Sequence, residues 1–112
     1  MKLTMVAAAF MALMAAAAVA QVKETVKMRR YMVIRTFPAG ALDKLDAATK
    51  AKVNAKNEAN GVRWIQSYAN ADLTKTFCVY EGRDEAAVRK AAADNGLPID
   101  QIVEIPKDLT PR

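Results

Sequence analysis

From Tyr31 onward the chain runs through short stretches of alternating apolar and polar residues, interrupted by two stretches with a helical rhythm. Tyr31 to Phe37, YMVIRTF, is rich in β-branched and aromatic residues and stops at Pro38-Ala39-Gly40, which predicts a first strand. Ala41 to Asn60 has no Gly or Pro. Within it Leu42, Leu45, Thr49, Val53 and Lys56 recur at helical spacing up to Asn60-Gly61, so a first helix with a narrow, Ala-rich inner face is expected there. Val62 to Ala69 alternates as a sheet strand requires, with Val62, Trp64, Gln66 and Tyr68 on one face and Arg63, Ile65, Ser67 and Ala69 on the other. Asn70-Ala71-Asp72 supplies turn chemistry, and Thr74 to Glu81 reads as the partner strand. Asp84 is a good N-cap for a second helix, Glu85 to Asp94, which Asn95-Gly96 stops. A last strand, Ile99 to Ile105, lies between Pro98 and Pro106.

The order β-α-β-β-α-β with short connections predicts an α+β, ferredoxin-like fold: a four-stranded antiparallel sheet with both helices on one face. The strands carry large side chains on both faces, Tyr31, Val33 and Phe37 against Met32 and Ile34, and Phe77 and Val79 against Cys78 and Tyr80. Helices cover one of those faces. The other wants cover of its own, because a contiguous apolar patch left in water is uncommon. A homodimer stacked sheet to sheet around a small cavity, its core including Trp64 and Tyr68, is the expected architecture.

The hairpin of residues 64–80 holds the only Trp, the only Cys and two of the three Tyr of the 112 residues. Its register decides what its side chains can do together. A four-residue loop, Asn70 to Leu73, would set Gln66 opposite Phe77 and turn Cys78 toward Ile65 and the helices. A slip of one residue would set Cys78 or Thr76 opposite Gln66, and the spacing alone leaves both open. In the first case Trp64, Gln66 and Tyr68 face the dimer cavity as ligand-binding side chains. Arg35, on the Tyr31 and Phe37 face, then needs an acidic partner or an anionic ligand if that face meets a cavity.

The N-terminus changes the picture of where the domain works. Lys2 precedes an uncharged, half-alanine run from Leu3 to Ala20, and Ala18-Val19-Ala20 forms a small-x-small cleavage site before Gln21. Residues 1–20 are therefore expected to be a signal peptide, residues 21–29 a tether, residues 30–107 the α+β domain and residues 108–112 a tail. This predicts a periplasmic or secreted protein with no membrane contact after cleavage. The first 20 residues hold one lysine and no acid, so the remainder sets sixteen Lys and Arg against twelve Asp and Glu. The cations are scattered among acids, which argues against a nucleic-acid partner. A single cysteine, Cys78, cannot staple its own chain even where export would permit a disulfide, and reads as a small buried hydrophobe.

Three stretches, YMVIRTFP, NGVRWIQSYANADLTKTFCVYEG and AVRKAAADNGLPIDQIVEI, together resemble the small nickel-binding-protein family, long catalogued as a domain of unknown function. The resemblance covers most of residues 30–105 and implies ferredoxin-like subunits that dimerise, with nickel as the implied cofactor. In the family pattern His stands at the position of Gln66 and again near Ala91. This chain has no His at all, and nickel prefers imidazole nitrogen. Cys78 and Glu81 are the remaining candidate metal ligands. The resulting expectation is an exported dimeric protein that binds a metal ion or a small molecule. A cofactor-free enzyme of the dimeric α+β barrel type, or a scaffold, stands as the alternative. The enzyme reading is the weaker because acid–base work normally recruits His or a carboxylate.

Overall fold

The computed structural model describes residues 27–112; the signal segment and all but the end of the tether lie outside the described residues. Four strands, β1 (Arg29–Thr36), β2 (Arg63–Ala69), β3 (Lys75–Gly82) and β4 (Gln101–Glu104), and two helices, α1 (Ala47–Ala59) and α2 (Glu85–Asp94), follow one another as β1-α1-β2-β3-α2-β4. They form one antiparallel sheet in the order β2-β3-β1-β4. This is the α+β, ferredoxin-like arrangement.

Each helix has a physical start and stop. Asp84 accepts a hydrogen bond from the Ala87 amide at 2.9 Å, and Asp46 one from Thr49 at 2.8 Å, so both helices open on an aspartate cap. Both close in the same way. Gly61 and Gly96 adopt positive φ, and the amides of Val62 and Leu97 reach back to the carbonyls of Asn57 and Ala92, each at 2.9 Å. With the bonds from the Gly61 amide to the Glu58 carbonyl at 2.9 Å and from the Gly96 amide to the Ala93 carbonyl at 3.0 Å, they make the bond pairs of Schellman endings, which Asn-Gly suits because glycine takes the left-handed conformation without strain.

The core lies between the sheet and the helices. Tyr31, Val33, Cys78, Tyr80 and Val62 meet Val88 and Ala91 of α2, with Trp64, Ile99 and Ile102 packed at the margin. Full burial of a side chain such as Val33 contributes about 2 kcal/mol. α2 approaches closely because β3 ends in Gly82, where an added Cβ would come within 3.3 Å of Val88. α1 is a weaker partner: the one residue it buries is Asn57, whose side chain accepts from Asn95 at 3.3 Å.

The first helix begins six residues later than its spacing predicts. Gly40, at φ +84°, turns the chain into a run of tight turns, and the Asp46 cap starts α1 only at Ala47. Leu42 and Leu45 consequently belong to the β1–α1 connection and not to a helical stripe. That connection forms one wall of the site described next.

Candidate ligand cavity and the open sheet face

Strand alternation sorts the candidate residues by face. On β1, Tyr31, Val33 and Arg35 point to the helix side; opposite them on β3 stand Tyr80, Cys78 and Thr76. Met32, Ile34, Phe77 and Val79 point to the other side, which no helix covers.

The hairpin register differs from both alternatives read from the loop length. Ala69 pairs with Thr76, Ser67 with Cys78 and Gln66 with Val79. The loop is longer than four residues because the Asn70 side chain accepts from the amides of both Thr74 and Lys75, at 3.0 and 2.9 Å, and Leu73 takes φ +59°. A shift in pairing between Trp64 and Gln66 then leaves Ile65 as a bulge. One extra residue reverses the parity of everything beyond it. Trp64 therefore does not share a face with Gln66 and Tyr68, as simple alternation required. It sits on the helix side and donates from its indole nitrogen to the Ser67 hydroxyl at 2.6 Å. Gln66 and Tyr68 lie on the open face, hydrogen-bonded to each other, with Tyr68 59 % exposed.

On the helix side a cavity of about 90 Å³ remains between sheet, β1–α1 connection and α1. Arg35, Trp64, Ser67, Thr76 and Tyr80 contribute its polar groups; Phe37, Leu42, Leu45, Val53 and Leu97 contribute apolar walls. It adjoins a wider groove of about 510 Å³ along β2, with which it shares Leu42, Leu45, Trp64, Ser67 and Thr76, and which Lys50 flanks. Arg35 is only 3 % exposed. Its Nη1 donates to the Tyr80 hydroxyl at 3.2 Å, and its guanidinium carbon stands 5.5 Å from the centre of the Tyr80 ring. Its Nε has no partner, nor has the Thr76 hydroxyl directly across the ladder. Burial pushes the Tyr80 phenol up to about 12 even though the Arg35 charge pulls it back, so this phenol stays neutral at physiological pH.

Cys78 and Glu81, the candidate metal ligands, do not converge. Cys78 is buried on the helix side, whereas Glu81 points from the opposite face and is held by Arg30 at 3.5 Å and Arg63 at 3.3 Å. Among the described residues no group of three or more Cys, Asp or Glu side chains gathers in a way that could hold a metal ion, and the chain has no His. The donors present do not fit a nickel centre. Of the four candidate ligand-binding residues, the cavity unites Arg35 with Trp64, while Gln66 and Tyr68 bond to each other and line the adjoining groove together with Trp64. Thr76 and Ser67 join the cavity with no signal in the sequence, and Tyr80 joins them as a buried phenol. Arg35 in phase with Tyr31 and Val33 was the only clue to that group.

Comparison with known proteins agrees with this architecture. The solved structure of SCO4226 from Streptomyces coelicolor A3(2) superimposes with a TM-score of 0.60 at 21 % identity, covering 70 % of this chain and 98 % of the other. No curated protein matches the chain. The model of the family described as nickel responsive protein SCO4226-like matches residues 31–105, from the first residues of β1 to just past β4. With strand order, helix placement and family match in agreement, the chain belongs to the SCO4226-like family of nickel-responsive proteins.

Proposed function

We propose that the protein is an exported, homodimeric small-ligand-binding module. The observation that carries the binding reading is the cavity beneath the sheet, which adjoins the groove beside Trp64. Pockets that take small molecules combine apolar walls with a few convergent polar groups, and this one does so. Its lining holds neither carboxylate nor imidazole and so offers no ordinary general base, which favours binding over catalysis. The nickel named for the family does not fit the donors among the described residues, so a small molecule is the proposed ligand.

Support for dimerisation comes from the uncovered sheet face, where Met32, Ile34, Phe77 and Val79 form an apolar centre and Val103 is 40 % exposed. A two-fold dimer would place this face against the same face of a second copy, apolar centre on apolar centre. Export is supported by the basic residue, uncharged run and small-x-small site of residues 1–20.

The test is the molar mass of the protein in solution, combined with titration of small metabolites and divalent cations followed through the emission of Trp64, the only tryptophan. A dimer mass and a saturable response to a small molecule at one site per subunit is the expected result. A monomer mass would remove the dimer. No response across the panel would remove the binding reading.

A further inference from the structure

We infer that the cavity around Arg35 is a receptor for a small carboxylate with a short alkyl tail. The inference rests on the binding reading above and names the ligand class. Three features of the site lead to it.

First, the charge of Arg35 is unanswered. A guanidinium buried to 3 % exposure sacrifices most of its hydration, and such a charge is ordinarily matched by a carboxylate. No Asp or Glu among the described residues comes within ion-pairing distance of it. Its one hydrogen-bond partner is the Tyr80 hydroxyl, a neutral group at physiological pH, and the tyrosine ring offers only a quadrupole. Second, each of the open valences can donate a proton. Arg35 Nε has a proton and no acceptor, and the unpartnered Thr76 hydroxyl sits opposite it in the β1–β3 ladder. Ser67 already accepts from the Trp64 indole, which leaves its own hydroxyl proton free to be donated. Donors converging without an acceptor are the complement of an oxyanion, and the planar fork of an arginine matches the two oxygens of a carboxylate.

Third, size and walls select the rest of the ligand. About 90 Å³ is the space of roughly three waters, enough for a carboxylate and a few carbons. Phe37, Leu42, Val53 and Leu97 would meet an alkyl tail, whereas inorganic phosphate or sulfate would leave oxygens facing them unpaired. Entry runs through the adjoining groove, where Lys50 adds a positive charge at the rim.

Sodium propionate is the probe, added to the full-length protein at constant ionic strength while Trp64 emission and thermal midpoint are recorded, with propionamide and phosphate in parallel. Expected are a saturable change in emission and a raised midpoint with propionate, and neither with propionamide or phosphate. Arg35→Met should weaken propionate binding roughly 10- to 100-fold, the scale of a lost charged hydrogen bond. Should that variant fail to fold, Thr76→Val, which keeps the shape and loses the hydroxyl, should weaken binding several-fold. Equal responses to propionate and propionamide would overturn the inference, and so would phosphate binding as tightly as propionate, or unaltered affinity in a folded Arg35→Met or Thr76→Val protein. Silence toward propionate alongside a saturable response to another small molecule would overturn the carboxylate and leave the binding reading standing. A monomer that still binds propionate would remove the dimer and leave the carboxylate.

Discussion

At the scale of single residues, the stacked pair of Arg35 and Tyr80 sets the chemistry of the protein interior. Arg35 donates to a phenol held protonated up to about pH 12, chiefly because ionising it would bury a negative charge. The consequence for stability follows from linkage. Up to pH 10, the ordinary value for tyrosine, folded and unfolded chains both keep the proton, and Tyr80 adds no pH dependence. Between pH 10 and about 12 the unfolded chain ionises first, so stability falls as pH rises, by about 2 to 3 kcal/mol over the interval. Chemical denaturation at pH 9, 10.5 and 11.5 should show this fall, and Tyr80→Phe, which has no proton to lose, should flatten it. The face that Arg35 shares with Tyr31 and Phe37 was legible from alternation, whereas which face the helices cover was not. The partners of Arg35 were not legible either, because they depend on which residue of β3 lies opposite β1, a pairing between strands far apart in the chain that no hairpin turn sets.

At the scale of elements, the two helices look alike at their ends and differ in what they hold. Both begin at an aspartate and finish at Asn-Gly, and α2 occupies the residues its sequence predicts because cap, stripe and stop all agree. The start of α1 departs from the expected Ala41, since the spacing of Leu42 and Leu45 mimics a helical stripe while Gly40 and the Asp46 cap dictate turns. The strands followed their alternation except at Ile65, where the bulge separates Trp64 from Gln66 and Tyr68. Burial makes the two caps unequal. α2 places Val88, Ala91 and Ala92 in the core, so Asp84→Ala should lower global stability by about 1 kcal/mol in a denaturant titration. α1 buries only Asn57 and can fray without opening the sheet. Asp46→Ala should therefore cost less globally, and show instead as faster amide exchange in the first turns of α1.

At the scale of the whole molecule, one sheet divides two kinds of surface. Its helix side encloses the Arg35 cavity; its other side presents Phe77 and Val79 beside Met32 and Ile34. The apolar character of both sides could be read directly from the alternation along β1 and β3, and it is the ground of the proposed dimer. A charge placed at the centre of such an interface is desolvated without a partner. Phe77→Lys should yield a folded monomer, seen as a halved molar mass with an unchanged far-ultraviolet spectrum. The Ile65 bulge has a further effect on how this molecule meets its neighbours. β2 is an outer strand of the sheet, and a bulge twists such an edge away from the flat ladder that another chain could extend. At the opposite edge β4 is only four residues long, with Pro98 and Pro106 beyond its ends. With both rims blunted against strand addition, open-ended fibrous growth is disfavoured, and the proposed dimer, which would join the broad faces and close after two copies, is the form of self-association these edges leave open.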